Sequence, residues 1–522
     1  MTNTVPTPPP YKGQNDQFPL ISIQSPFCEK LENYNNLGGV VKVRQGYDRY
    51  KAITGTNPSI RAINTYYTST AEQLYALVFD NVTGLTWYSI TGAATSVHTL
   101  AGATSTKFNT LEFNNYLFYF GNGPLSTSST GPQQYTGSAW GTSTYSWPSS
   151  FNPIGGCVFK NRAYFVQEDA CAYGYSGIDA ISGVVTKVDL SSVVDNKSSL
   201  LMIRPIAMTE NITADTVLAF IFSNGEVLVY SGSYPDSSNW ALISRFTISK
   251  PLSHRSYIEA QGDSFIMTYS EILSLRNLFI KGYSKEKNDG IGSAIENLWK
   301  RFSPNLPVAA YVSGTYDQKN DRLIILLPNY ITSAGAISLT KRFTQFVYDF
   351  VLEAWYVYYI TTTGGAATPY ASCVFNQSVY IGGSGGGFSD AAVVMKLEGN
   401  SNFMDDSPED GTASAIAYDL ITAPLPISKY GAHSIEGVEV ICKSDLYPQT
   451  NYKFIADLGR TESASQTLPA QGTGIAKPMM NVGIQGAMAV QLEISGSSVS
   501  ATIGLELYAF NIWYNSGQKG SR

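Results

Sequence analysis

The stretch LAFIFSNGEVLVYSGSYPDSSNWALISRFTISKPLSHRSYIEAQGDSFIMTYSEILSL, residues 218–275, decides the reading of the fold. Within it a polar turn is twice followed at once by an apolar run: Ser223-Asn224-Gly225 leads into EVLVY, and Gln261-Gly262-Asp263 leads into SFIMTY. Turn residues that tolerate positive φ, flanked by β-branched and aromatic residues, are the signature of a β-hairpin. Working outward, the pattern recurs in both directions. Glu72-Gln73 precedes LYALVF, Asn114-Asn115 precedes YLFYF, and Lys160-Asn161-Arg162 precedes AYFV; later, Lys319-Asn320-Asp321 precedes RLIILL and Asn376-Gln377 precedes SVYIGG.

The turns repeat at roughly 40 to 60 residues, close to the 40 to 50 that one four-stranded propeller blade takes, so the pattern predicts a β-propeller with unequal loops. A large sandwich or two stacked barrels would also make hairpins, though less regularly. Composition agrees with an all-β chain. Among 522 residues there are 35 Tyr, 24 Phe and 46 Gly, and only 14% are charged, too few for long amphipathic helices.

One segment breaks the β pattern. In KEKNDGIGSAIENLWKRF, residues 285–302, Ser293 with Glu296 reads as a capping box, and Ile295, Leu298, Trp299 and Phe302 recur at helical spacing. A short helix is predicted there, its apolar face either core or a subunit contact. The acidic, turn-rich SNFMDDSPEDGTAS (401–414) reads as a boundary. Beyond it Val490, Leu492 and Ile494 alternate with Ala489, Gln491 and Glu493, and Ile503, Leu505 and Leu507 with Gly504 and Glu506. Such alternation marks sheets with one wet face, hence a β-sandwich. The expected division is an N-terminal extended arm (1–50), a β-propeller (51–399) carrying the inserted helix, and a β-sandwich-like C-terminal domain (400–522).

Chemistry is sparse, and no catalytic, cofactor-binding or metal residue is assigned. Gly382-Gly383-Ser384-Gly385-Gly386 matches G-x-S-x-G, and Asp405 or Asp419 followed by His433 gives the chain order of a hydrolase triad. A nucleophile elbow needs a strand-to-helix turn, whereas here a polyglycine stretch leads toward another strand-like run, so an inter-strand loop is expected. His98, His254 and His433 lack paired ligand spacing. Asp405, Asp406, Glu409 and Asp410 are enough carboxylates for calcium but lack the D-x-D-x-D-G pattern. Tyr234-Pro235-Asp236 with Trp240 approximates an Asp-box hairpin, one residue too short and without its glycine. Lys300-Arg301 and Lys341-Arg342 read as solvated or ion-paired surface pairs. Cys28, Cys157, Cys171, Cys373 and Cys442 are odd in number and far apart, which supports neither a disulfide framework nor zinc.

The net charge of -6, with no basic tail, argues against a high-affinity nucleic-acid binder. The opening MTNTVPTPPPYKGQ has neither a cationic segment nor an apolar run, so no signal peptide is expected. No apolar stretch reaches about 18 residues, so no membrane span is expected either.

The sequence resembles the tail hub or nozzle proteins of short-tailed bacteriophages, of the tail tubular protein B or packaged-DNA-stabilisation type. The likeness is carried by NNLGGVVKVRQGYDRY (35–50), with Arg44, Gly46 and Tyr47 ahead of the first hairpins, and by the 218–275 stretch. It continues through IKGYSKEKNDGIGSAIENLWKRF (280–302), DRLIILLPN (321–329), FVYDFVLEAWYVYY (346–359), IEGVEV (435–440) and AMAVQLEISGSSVSATIGLELYAFNIWYN (487–515). The resemblance implies a structural virion protein of the tail, assembled in the host cytoplasm. It would form a homo-oligomeric ring, commonly a hexamer, below the adaptor and portal proteins. That ring would line the DNA exit channel without specific DNA binding, and would anchor tail fibre, spike or needle proteins. Because no candidate site has more than one supporting feature, no enzyme activity and no cofactor are expected. The alternatives are a tail-associated propeller glycan hydrolase, which needs paired carboxylates in a groove, or a receptor-binding protein, which needs fibrous repeats.

Overall fold

The computed structural model describes the chain outside residues 1, 17–22, 68–70, 101–107, 122–131, 195–197, 209–215, 282–289, 307–311, 333–334, 339, 362–368, 385–390, 401–403, 407–412, 428–432, 444–448, 458, 460, 469–474, 499–503 and 516–522. Six four-stranded antiparallel sheets form the blades of a β-propeller around a common axis. Their innermost strands are Ser59–Tyr67, Phe108–Phe113, Pro153–Phe159, Leu200–Ala207, Ser313–Asp317 and Pro369–Phe375. Between the fourth and fifth blades stands a three-stranded sheet whose first strand, Tyr257–Ala260, packs on Ser313–Asp317.

The hairpin chemistry read from the sequence is what turns these blades. At Asn114-Asn115 both φ values are positive (49° and 62°), as they are at Lys160-Asn161 (44° and 58°) and Asn376-Gln377 (46° and 56°). Positive φ at both central residues is the type I′ requirement, whose twist matches that of the flanking strands. Ser223-Asn224-Gly225 departs from the series. It joins the second and third strands of its blade, Thr216–Phe222 and Glu226–Ser231, rather than the first and second.

The ring closes with a strand from the N-terminal side. Gly46–Thr54 is the fourth strand of the last blade, antiparallel to Ala391–Asn400. This pairing ties the start of the propeller to its last blade by main-chain hydrogen bonds, and each blade keeps only short edges. Gly382 belongs to this closure rather than to a loop. It lies inside the strand Ser378–Ser384, and a Cβ there would meet Ile63 and Ile60 of the first blade at 2.5 and 2.6 Å. The polyglycine expectation therefore holds at most for 385–390, which lie outside the described residues.

After the three-stranded sheet come an α-helix, Leu275–Lys281, a 3-10 turn, Ile291–Ile295, and the expected amphipathic helix, Glu296–Phe302. Ile295, Leu298, Trp299 and Phe302 are all buried, so the apolar face is core. Ser293 is not its cap: it lies in the 3-10 turn. The cap comes from far up the chain, where the Asp16 carboxylate accepts the backbone N–H of Asn297 (3.2 Å) and of Leu298 (2.5 Å).

The C-terminal part is a two-sheet sandwich, and residues ahead of Gly46 complete both of its sheets. In one sheet Thr2–Thr7 and Val40–Val43 pair with Glu506–Asn515, which pairs with His433–Lys443. In the other, Cys28–Glu32 pairs with Ala413–Thr422, followed by Ala489–Ser498 and Gln449–Ala456. The predicted alternation is present: Val490, Leu492, Ile494, Leu505 and Leu507 are buried. Glu32 also pairs in parallel with Val357 of the fifth blade, so that blade and the second sandwich sheet are one continuous twelve-stranded sheet. A single hydrophobic core accordingly runs from Ile324, Tyr356 and Tyr358 of the propeller to Leu420, Phe454 and Ile512 of the sandwich.

Candidate functional site at the axis and the sandwich junction

Arg44, the arginine of the quoted RQGY motif, sits where the chain leaves the sandwich for the propeller and is fully buried. Burying a guanidinium is tolerable only when its donors are met. Here Nε donates to Asn33 Oδ1 (2.9 Å). Nη1 donates to Asp405 Oδ1 (2.7 Å) and the Gln45 carbonyl (2.9 Å), and Nη2 to Asp405 Oδ2 and the Tyr359 carbonyl (both 2.7 Å). That accounts for the five N–H groups of the side chain. The Tyr47 ring lies under the guanidinium with its centroid 4.0 Å away, and the Tyr47 backbone N–H donates to Asp405 Oδ1. The motif, the 404–406 strand and the fifth blade are thus tied in one knot.

Arg322 forms a second knot, bonding Asp317 (2.9 Å) and, across to the last blade, Glu398 (2.8 Å). The Glu398 carboxyl is buried, but the Arg322 guanidinium holds it below the usual carboxylate range. A third cluster lies at the junction. Glu32 accepts Lys341 Nζ (2.7 Å), the Tyr330 hydroxyl (2.6 Å) and the Tyr359 hydroxyl (3.1 Å), while Lys30 bonds Asp419. Burial holds the Lys341 ammonium below the ordinary lysine value even with Glu32 beside it. Of the expected solvated or ion-paired surface pair, Lys341 is ion-paired with Glu32 but packed over the Tyr330 and Tyr359 rings at 4.3 Å, and Arg342 is buried rather than on the surface.

These contacts settle where the sequence candidates sit. Asp405 is held by Arg44 and Asp419 by Lys30, whereas His433 packs edge-on against Tyr514 with its centroid 5.2 Å away. Ser384 ends a strand of the last blade, and the triad is not assembled. Asp405 is committed to an ion pair, and Glu409 and Asp410 lie outside the described residues. No cluster of three or more metal-ligating side chains occurs among the described residues. Asp236 takes the Tyr175 hydroxyl, and Trp240 stacks on Tyr230 at 5.3 Å, so the Asp-box-like turn fastens the third blade to the fourth. His98 stacks on Trp140 and His254 is buried. Lys300 pairs with Glu296 one turn back, and Arg301 lies over Phe302.

The axis of the propeller is polar. From the turn ahead of the three-stranded sheet Arg255 reaches across to the carbonyls of Arg61 (3.4 Å) and Tyr370 (3.3 Å), on the first and last blades. Beside it is a cavity of about 160 Å3 walled by inner strands. Grooves of about 580 and 510 Å3 lie at the face carrying the turns between first and second strands. Glu72 lines the larger one, and Oε2 accepts the Asn376 backbone N–H (3.0 Å), bridging the last and first blades. The neighbouring Glu112 carboxyl is pushed up to about 7, first by burial of the carboxyl and then by Glu72, although the residue as a whole is exposed. Sequence reasoning missed this pair; forty residues separate the two, and only the curvature of the ring brings them close.

No family model matches the sequence, and no curated protein matches it. Among solved structures the chain is similar to YCF48 from Cyanidioschyzon merolae, at 10% identity over 66% of this chain and 98% of that one, with a TM-score of 0.36. It is also similar to Saccharomyces cerevisiae Sqt1, at 9% identity over 68% and 98%, TM-score 0.39. An exo-beta-1,3-galactanase from Phanerochaete chrysosporium aligns at 10% identity over 88% and 96%, TM-score 0.26. Likeness at this level carries no functional argument.

Proposed function

We propose that the chain is a structural protein of a short bacteriophage tail, a hub or nozzle subunit that forms a ring around the DNA exit channel and holds tail appendages. The observation that carries this reading is the continuity of the molecule. Propeller and sandwich share one sheet and one core, and the motif that bears the family resemblance, Arg44 with Gly46 and Tyr47, is spent on welding them together. A subunit that must transmit load through a ring needs one rigid body rather than hinged domains, and head-to-tail contacts between such bodies close into cyclic symmetry. Negative-stain imaging of the protein mixed with a purified portal and adaptor complex tests it. Rings with a central hole at the end of the complex are expected; separate globular particles beside undecorated complexes would overturn it.

A glycan-hydrolase reading is favoured by one observation, the Glu72 and Glu112 pair beside a groove. A carboxyl with a pKa of about 7 beside a second carboxyl is the kind of pair that glycoside hydrolysis uses. Against it, Glu72 already bonds the backbone of the last blade. Polysaccharide cleavage that disappears in Glu112→Gln would decide for the hydrolase; no cleavage by the wild-type protein is expected.

A further inference from the structure

In the ion cluster at the junction, three side chains stand in an arrangement that a simple salt bridge does not need. Lys30 and Glu32 lie two apart on the strand Cys28–Glu32, so they share one face of the sheet. Asp419, on the neighbouring strand Ala413–Thr422, is the direct cross-strand partner of Glu32, which puts it on that face too. Lys30 Nζ bonds Asp419 Oδ2 and lies 3.6 Å from Glu32 Oε2, while the Tyr330 and Tyr359 hydroxyls hold Glu32 in place. The two carboxyls differ in character. Burial raises that of Asp419 above its ordinary value, and the adjacent Lys30 charge does not undo the rise. Burial works on Glu32 in the same direction, but there the Lys30 and Lys341 charges win and bring the carboxyl below its ordinary value. Carboxyls pushed apart in this way divide into an acid and a base. On Lys30 burial favours the neutral amine, yet the Glu32 and Asp419 charges outweigh it and hold the ammonium, so the amine is freed by handing protons to these same neighbours.

We infer that Lys30 and Asp419 condense into an isopeptide bond, with Glu32 as the proton carrier. The Nζ lone pair bonds Asp419 Cγ, and the Cγ–Oδ2 bond breaks with its electron pair leaving on the oxygen. Two protons depart from Nζ: one passes to Oδ2 across the existing hydrogen bond, and the other reaches the same oxygen by way of Glu32 Oε2. The oxygen leaves as water, Glu32 ends as it began, and no net proton is gained or lost. The Lys30 and Asp419 side chains are 31% and 21% exposed, which gives the water a way out, whereas Glu32 at 4% is shielded. Condensing an ammonium with a carboxylate is unfavourable between free molecules in water, but a pair held by the sheet reacts as though at about 10⁵–10⁸ M. Lys341 also touches Glu32, but Glu32 is the ionised member and a poor acyl donor, so that contact stays an ion pair. The product joins residues 389 apart in the chain and closes the propeller within one covalent loop.

Mass spectrometry of the purified full-length protein, unfolded for the measurement, tests this. The chain is expected to weigh one water less than its sequence, and its tryptic digest to contain a branched peptide in which residues 13–42, uncut at Lys30, are joined to 397–429. Lys30→Arg keeps a cation beside Asp419 but has no amine to acylate, so it should weigh its full sequence mass and lack the branch. Glu32→Gln removes the proton carrier at nearly constant size. In a time course after cell-free synthesis, this variant, where circular dichroism shows it folded, should condense about 10²–10⁴-fold more slowly than the wild type, the usual contribution of a positioned proton-transfer group. The wild-type mass and the Lys30→Arg comparison decide the matter even where Glu32→Gln does not fold. A wild-type chain at its full mass, a branch at any carboxyl other than Asp419, a lost water that persists in Lys30→Arg, or a folded Glu32→Gln that condenses at the wild-type rate would overturn the proposal.

Discussion

Arg44 shows how much one residue can hold, and how little of that a sequence displays. Its guanidinium has no exposed surface and every donor is met, with Asp405 supplying the counter-charge from 361 residues away. Removing one member of such a pair leaves a buried charge alone, so Arg44→Ala and Asp405→Ala should each cost about 3–5 kcal/mol in urea denaturation. Arg44→Lys should not rescue, since an ammonium cannot span Asp405, Asn33 and the Tyr359 carbonyl together. The double variant Arg44→Met with Asp405→Leu should recover most of the loss, because two apolar groups need no partners. Recovery of less than half would mean that the knot specifies geometry beyond its charge. The RQGY motif was legible as the start of the propeller, but its partner was not. Asp405 stands in an acidic run, and residue type alone fits a calcium loop, a triad or an ion pair equally well.

At the scale of elements, what was legible were features whose cause is local. The Asn-Asn, Lys-Asn and Asn-Gln turns need positive φ, and residue type shows that directly; the alternation of Val490, Leu492 and Ile494 follows from the pleat. What was not legible depends on partners distant in the chain: the strands before Gly46 that complete the sandwich, the parallel pairing of Glu32 with Val357, and the cap of the Glu296–Phe302 helix. Local rules assigned that cap to Ser293, whereas the three-dimensional neighbour Asp16 takes it. Burial pushes the Asp16 carboxyl up to about 6 despite the two backbone donors that favour its charged form. A carboxyl raised above its unfolded value contributes stability that is present below pH 4 and lost as pH rises through 6. After allowance for solvent screening the loss should be about 1–2 kcal/mol. Asp16→Asn keeps one acceptor and removes the titration, so its stability relative to wild type should improve by that amount between pH 4 and pH 7. Asp16→Ala loses the cap at every pH, by about 1 kcal/mol. An Asp16→Asn protein that instead becomes relatively weaker toward pH 7 would show that the helix-end donors outweigh burial.

For the whole molecule, a rigid body with a closed propeller constrains how the proposed ring assembles and what it does to DNA. A ring that closed by itself in the cytoplasm would be lost to assembly, so the free chain is expected to scatter light as a monomer of 56.7 kDa and to associate only on its template. A stable hexamer at low micromolar concentration would refute templated closure without touching the fold. The charge sets the second expectation. A net of -6 per chain becomes about -36 in a ring of six, and interactions between exposed charges fade beyond a Debye length of roughly 8 Å. Several basic side chains are engaged within the subunit: Lys300 pairs with Glu296, Lys341 with Glu32, and Arg44 and Arg322 are buried. Tight binding of duplex DNA requires many phosphate contacts, each of which steepens the dependence on salt. The free protein should therefore bind duplex DNA no more tightly than about 10 μM at 0.15 M salt, near the loose end of non-specific binding. Gel-shift titration across a range of salt concentrations decides it: submicromolar affinity with a steep salt slope would show that some face of the subunit is a DNA clamp, and that the ring grips its cargo rather than letting it pass.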